Sequence, residues 1–246
     1  MTYCVGMLID DGIVFMSDTR TNAGYDNIAK ARKIYNWSKS SDRQITLLSA
    51  GNLATTQKVI TSISLDNEKD SIYSMKTMEE IADHIGDVLQ KIIQKYSNSG
   101  QSSESTFSAS FILGGQIKDE PMRLFQIYPE GNFIEASADS PFFQIGEIKY
   151  GRPIILRGYE PTLSFSEALK LLLVSFDSTL KANVTVGLPF DFQCYKKDSL
   201  NASNISRIYE TNEYYQKISN NWGDALKEAL DRLPDFPCDN ANKNKI

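Results

Sequence analysis

Thr2-Tyr3-Cys4-Val5-Gly6-Met7-Leu8-Ile9-Asp10-Asp11-Gly12-Ile13-Val14-Phe15-Met16-Ser17-Asp18 is the stretch on which the reading of this chain turns. Residues 3–9 and 13–17 are rich in β-branched, aromatic and apolar side chains, which reads as two strands. Asp10-Asp11-Gly12 lies between them, and Asp-Gly between two apolar runs is a strong hairpin signal. Ahead of the hairpin stands Thr2. Removal of Met1 would leave a threonine whose hydroxyl sits beside its own free amine. An α-amino group has a pKa of about 7.7–8.0, so near neutrality it is partly unprotonated and can accept the hydroxyl proton. A Thr with a free N-terminal amine is one of the known activated nucleophiles.

A turn at Asp11-Gly12 would pair residues near 10 with 13 and set Thr2 opposite the region of Thr21. Asp18 would then lie about three positions along the neighbouring strand, at ~3.3 Å per residue, within side-chain reach of the nucleophile. Lys33 opens the next expected strand, 33–37. A lysine beside the hydroxyl lowers its pKa electrostatically, and an aspartate keeps that lysine charged and oriented. Two assignments stay open: Lys30 is the alternative lysine, and Arg20 suits a structural ion pair better than catalysis.

Outward from the hairpin, residues 19–30 read as a loop, broken by Asn22, Gly24, Asp26 and Asn27. Residues 33–37 and 43–50 form a second strand pair. Asn52 caps a helix to about Leu65, and Thr77 with Glu80 makes a capping box for a longer one. Residues 98–104 are a Ser/Gly-rich loop. Strands are expected near 107–117, 122–128, 132–136 and 142–146. Ser164 with Glu167 caps another helix, strands follow near 186–195 and 205–209, and a last helix runs from about Asn212 to Leu233. Short turns make the strands antiparallel while the helices come in blocks, so the class is α+β. Two sheets covered by helices on their outer faces would accommodate the order. Residues 1–246 show no linker or repeat, and the tail after Pro234 is polar.

Composition narrows the function. Acidic residues outnumber basic ones, 31 to 26, for a net charge of −5. There is no basic footprint for nucleic acid. No apolar run approaches the ~20 residues of a membrane span, and the N-terminus has no secretory pattern. A cytoplasmic location is expected. Cys4, Cys194 and Cys238 are far apart and odd in number, which argues against a disulfide framework. The single histidine, His84, lies in a helical segment and excludes a multi-histidine zinc site. Neither metal nor organic cofactor is expected.

The segment Ser17-Asp18-Thr19-Arg20-Thr21-Asn22-Ala23-Gly24 resembles the one that follows the first hairpin in catalytic proteasome β-subunits. Met1-Thr2, the Asp-Gly hairpin, Arg32-Lys33-Ile34 and Ser49-Ala50-Gly51 fall in the same order as in that family. Ser49-Ala50-Gly51-Asn52-Leu53-Ala54-Thr55-Thr56 and Val186-Gly187-Leu188-Pro189-Phe190-Asp191 are more similar still to a bacterial proteasome-related branch. The likeness extends to about Leu233. It implies a four-layer αββα sandwich, the N-terminal nucleophile hydrolase fold, with residues 1–246 as a single domain.

The resemblance also implies roles. Thr2 would be nucleophile and, through its amine, general base; Asp18 would orient Lys33, and Lys33 would tune Thr2. Gly51 matches the glycine whose backbone N–H serves as oxyanion donor. Thr21 and Asn22 lie where family members pair substrate backbone as an added strand. Two departures stand out. Glu147 occupies the place of a serine that supports the amine, and if ionised it would raise the amine pKa. The family's late Asp-x-x-Ser pair is not recognisable, with Asn183 and Thr185 as loose substitutes.

The reading that follows is a threonine-type amide hydrolase acting on peptides or proteins within a homo-oligomeric ring or open spiral. Membrane and nucleic acid are not expected partners, and an unfoldase partner is not identified. The alternatives are an amidohydrolase or acyl transferase for a specific small or modified peptide, and a non-catalytic assembly subunit. Inactive ring subunits carry an extension before the first strand, whereas Thr2 directly precedes the strand here.

Overall fold

The computed structural model describes residues 2–22, 28–65, 71–97 and 107–237. Strands β1 (Tyr3–Ile9) and β2 (Gly12–Asp18) form the first hairpin. The short strands β3 (Arg20–Asn22) and β4 (Ile28–Lys30) follow, then β5 (Ile34–Lys39) and β6 (Arg43–Gly51). Helices α1 (Leu53–Leu65) and α2 (Met78–Ser97) lead into β7 (Ala109–Ile117), β8 (Arg123–Ile127), β9 (Phe133–Glu135) and β10 (Phe142–Gly146). The chain continues through α3 (Arg152–Gly158), α4 (Phe165–Ala182), β11 (Phe190–Lys196), β12 (Ser206–Ile208) and α5 (Glu213–Asp231).

Among the described residues the strands form two five-stranded antiparallel sheets, ordered β10-β1-β2-β11-β12 and β5-β6-β7-β8-β9, and the small pair β3-β4. Strand alternation splits β1 between two cores. Tyr3, Val5, Met7 and Ile9 face α3, α4 and α5, packing on Ile155, Leu172, Phe176 and Tyr215. Cys4 joins Phe15, Leu48, Ile112 and Ile145 in a layer between the sheets. The second sheet buries Leu47, Phe111 and Phe125 under Val59, Ile81, Ile85 and Leu89 of α1 and α2. The result is a four-layer αββα sandwich. No helix among the described residues is long and apolar enough to cross a membrane.

Local signals set most helix starts. Asn52 Oδ1 accepts from Thr55 N–H at 3.1 Å, and Asn212 Oδ1 from Tyr215 N–H at 2.9 Å. Ser164 and Glu167 form the full reciprocal box at the start of α4. At α2 the Thr77 hydroxyl accepts from Glu80 N–H, but the Glu80 carboxylate reaches one residue further back, to Lys76 N–H.

Three sequence expectations are corrected. The hairpin register is Ile9↔Gly12 and Cys4↔Ser17, so Asp10-Asp11 is the turn and Gly12 is already strand. A Cβ on Gly12 would stand 1.9 Å from the Tyr195 carbonyl oxygen of β11, so the glycine serves close strand approach rather than the turn. Extending this register sets Thr2 across from Thr19, not Thr21. Second, the expected loop 19–30 contains the pair β3-β4, with Arg20↔Lys30 and Thr21↔Ala29; residues 23–27 lie outside the described residues. Third, α3 was not expected: its seven residues are too few for a periodic signal, though Pro153 at its start is a helix-opening residue. The loop read at 98–104, Met1 and Cys238 lie outside the described residues.

Candidate active site

The corrected register brings Asp18 directly to the chain start. Asp18 Oδ1 accepts from Tyr3 N–H at 3.0 Å and from Lys33 Nζ at 2.6 Å. Its Oδ2 accepts from Arg20 N–H and Gly187 N–H, each at 3.2 Å. The carboxylate is fully buried and Lys33 is 5% exposed. Burial pushes the Asp18 carboxyl above its ordinary value, and the Lys33 ammonium, Tyr3 N–H and Gly187 N–H pull it back.

Lys33 is fixed at both ends. Its carbonyl accepts from Ser49 N–H at 2.9 Å, continuing the β5-β6 ladder by one residue. Its ammonium also donates to the Arg20 carbonyl at 2.6 Å. Lys30, the alternative lysine, is exposed on β4 opposite Arg20. Arg20 itself donates to the Val184 carbonyl at 2.7 Å, and its guanidinium covers Gly187. Neighbouring Cys4 is wholly buried, and burial and the Asp18 charge push its thiol upward.

Thr2 is itself buried, 7% exposed, and its carbonyl accepts from Glu147 N–H at 2.6 Å. The start of the chain is thus clamped between β10 on one side and the Asp18 carboxylate on the other. Glu147 does more than supply a backbone donor. Its carboxylate accepts from Asn183 Nδ2 at 2.8 Å and Lys149 N–H at 3.3 Å. Asn183 Oδ1 in turn accepts from Thr185 Oγ1 at 2.6 Å and Thr185 N–H at 3.0 Å.

Gly51 ends β6 with φ +111°, a conformation glycine tolerates, opposite Ala109 of β7. Thr21 lies on β3, whose other edge carries no strand among the described residues. Asn22 shares that strand through its backbone; its side chain lies outside the described set.

Sequence reading missed the part played by Gly187. Its N–H reaches Asp18 while Asn183 of the same loop reaches Glu147, so the segment 183–187 bridges the two carboxylates that flank Thr2. Strand pattern could not supply that, because residues 183–187 form a turn, closed by Val186 N–H to the Asn183 carbonyl, and a turn carries no period. The likeness of Val186 to Asp191 to known sequences, and Asn183 and Thr185 as loose substitutes for the family's late pair, had marked the segment without giving these contacts.

A fold of two sheets between helix layers, with a threonine at the head of the first strand beside a buried Asp–Lys pair, defines a class of protein. A family profile described as proteasome subunit matches residues 2–189, and the chain belongs to that family. Within it, the chain is similar to Anbu, a proteasome-related β-subunit homologue. A variant of Anbu from Hyphomicrobium sp. strain MC1 is 43% identical, with a TM-score of 0.89 over 96% of this chain and 99% of that one. Anbu from Yersinia bercovieri, described as an ancestral β-subunit, is 40% identical, with a TM-score of 0.88 over 95% and 98%. The helical assembly of the Anbu complex from Pseudomonas aeruginosa gives 38% identity and a TM-score of 0.90 over 96% and 98%. No curated protein matches the chain.

Proposed function

We propose that this proteasome-related β-subunit is a threonine-type N-terminal nucleophile hydrolase of amide bonds, built on one domain and working within a homo-oligomer. The observation that supports it most is the shared oxygen of Asp18, which takes Tyr3 N–H and the Lys33 ammonium together. That arrangement pairs a buried lysine with a buried carboxylate next to the residue that follows Thr2.

With Met1 removed, the Thr2 amine takes the hydroxyl proton as Thr2 Oγ1 attacks the substrate carbonyl carbon. The Lys33 charge favours the developing alkoxide, and Gly51 N–H is the oxyanion donor. The tetrahedral intermediate expels the amine product, which takes the proton back, and leaves an ester on Thr2. Water activated by the same amine then hydrolyses the ester. The open edge of β3 at Thr21 and Asn22 would pair with an extended peptide. Self-assembly is part of the reading, since a relative from Pseudomonas aeruginosa is described as a helical assembly.

The test is intact mass before and after a peptide epoxyketone, a warhead that needs a hydroxyl and a free α-amine on one residue. Loss of Met1 with one adduct per chain is expected. Thr2→Ala should remove the adduct and cut amide hydrolysis by about 10³-fold or more. A retained Met1, or full hydrolysis by Thr2→Ala, would overturn the proposal.

The Glu147–Asn183–Thr185 chain favours a narrower second reading, an amidohydrolase or acyl transferase for a specific small or modified peptide. An ionised carboxylate near the Thr2 amine would favour the protonated form and weaken the amine as a base. Adduct formation without turnover of a fluorogenic peptide panel would favour this version. Rapid cleavage of unstructured casein would count against it.

A further inference from the structure

Four acids are buried among the described residues: Asp18, Glu147, Asp177 and Asp191. Three of them meet a cation. Lys33 Nζ stands 2.6 Å from Asp18, Lys181 Nζ 3.0 Å from Asp177, and Arg207 Nε 2.6 Å from Asp191. Glu147, 8% exposed, forms no ion pair among the described residues. Its carboxylate takes two neutral donors instead, Asn183 Nδ2 on Oε2 and Lys149 N–H on Oε1. A carboxylate withdrawn from water is costly unless it is both hydrogen-bonded and paired. Glu147 has the hydrogen bonds without the pair.

Strand register shows what stands opposite. β10 pairs with β1 through Tyr3↔Gly146, and one step further Glu147 N–H reaches the Thr2 carbonyl. Thr2 and Glu147 are therefore cross-strand neighbours, whose Cβ atoms lie about 4.5–5.5 Å apart in a regular antiparallel pair. Asn183 holds the carboxylate at this end of the sheet, since its turn also brings Gly187 N–H to Asp18, which takes Tyr3 N–H. The other charged groups around the chain start are already engaged. Asp18 of β2 and Lys33 ahead of β5 pair with each other, and the Arg20 guanidinium of β3 donates to the Val184 carbonyl. Arg152 of α3 stands over the Phe142 ring on the helix side, and Lys149 is exposed. The Cys4 thiol of β1 is pushed upward by burial, and neither 49–51 nor 183–187 carries a titratable side chain.

We propose that Glu147 is a positioning residue for the nucleophile: its carboxylate is the counter-ion of the Thr2 ammonium, which it orients and holds protonated as the resting form near neutral pH. This role rests on the reading of Thr2 as a free N-terminal nucleophile and adds a pH gate to it. Attack needs the neutral amine, because the amine must accept the Thr2 Oγ1 proton. An opposite charge favours the charged form, so the ammonium gives its proton to solvent only at higher pH. Thr185 fixes the aim of the device. Its hydroxyl and N–H both donate to Asn183 Oδ1, which leaves Asn183 Nδ2 turned toward Glu147.

The test titrates the amine itself in the full chain. Brief acetic anhydride pulses across pH, with a free peptide of the same first residues as internal reference, acylate only the neutral amine, and peptide mass reads the yield at Thr2. Glu147→Gln keeps the side-chain shape and an oxygen for Asn183. It should lower the midpoint by about one pH unit or more, which is about ten-fold more neutral amine at neutral pH. Glu147→Ser, which removes the charge with a smaller side chain, should match it. The rate of epoxyketone labelling should rise by the same factor at neutral pH and converge with the unaltered chain at alkaline pH. Adding Asn183→Asp to Glu147→Gln returns the carboxylate one hydrogen bond away, and the midpoint should climb back. An unmoved midpoint, labelling lowered equally at every pH as a purely structural role would give, or a double variant that stays at the Glu147→Gln value would each overturn the proposal. The pulses need no chemistry from Thr2. A shifted midpoint without any epoxyketone adduct would sink the hydrolase reading and leave the counter-ion standing, and an adduct with an unmoved midpoint would do the reverse. A retained Met1 would overturn both.

Discussion

Asp18 holds four donors on two oxygens, drawn from the chain start, the segment before β5, the start of β3 and the 183–187 loop. A carboxylate so surrounded is a structural hub as well as a candidate catalytic group. Asp18→Asn would leave the Lys33 ammonium buried without its counter-charge and turn an amide donor toward other donors. Breaking one partner of a buried pair costs about 3–5 kcal/mol, and urea unfolding should show a loss of that size. Adding Lys33→Met removes the stranded charge, so the double variant should recover part of the loss while remaining inactive. A double variant no more stable than Asp18→Asn would mean that Lys33 is not the cost.

Among the elements, the β10–β1 junction carries the most consequence for the site. Gly146 has φ +88°, and a Cβ there would stand 1.9 Å from the Thr2 carbonyl oxygen. Gly146→Ala therefore meets both a left-handed backbone penalty of about 1–3 kcal/mol and a backbone clash. The expected result is destabilisation of at least that size in equilibrium unfolding. Labelling of Thr2 by the epoxyketone should fall with it, because Glu147 N–H would no longer hold the Thr2 carbonyl. Unperturbed unfolding would show that this strand end gives way cheaply. The capped helix starts needed no such device: their signals are local, within about four residues, and so could be read from the sequence.

At the scale of the whole molecule, the sandwich buries ionisable groups that stay neutral when folded. Burial pushes the Tyr3 phenol and the Cys4 thiol above their ordinary values of 10.0 and 9.0. The unfolded chain releases these protons first, and the folded chain keeps them to higher pH. Stability is therefore complete below about pH 9 and falls as pH rises beyond it, by about 1.4 kcal/mol per pH unit for each group. Urea midpoints followed from about pH 8 to about pH 11 should decline. Cys4→Ala should flatten the first part of that decline, since its thiol ionises first in the unfolded chain. A flat profile to the upper limit would mean that neither group is retained in neutral form.

Much of this protein is written in short segments. The hairpin, the caps at Asn52, Ser164 and Asn212 and the apolar faces of α2 and α4 follow from residues a few positions apart. Together with the motif order they made the αββα class legible from the sequence, and the motif order nominated Thr2, Asp18, Lys33, Gly51 and Glu147 as a candidate site. The hairpin register was misplaced because Gly12 looks like a turn residue, and its real constraint is the Tyr195 carbonyl, a neighbour 183 positions along the chain. Likewise the choice of Lys33 over Lys30 as the ion-pair partner of Asp18, the Asn183–Glu147 link and the grip of Gly187 on Asp18 depend on which strand ends meet. The sequence alone determined most of the elements, the β3–β4 pair and α3 excepted, since propensity and capping act locally. Tertiary structure decided which distant groups share one carboxylate and which buried acid is left without a cation, since those depend on how the layers stack.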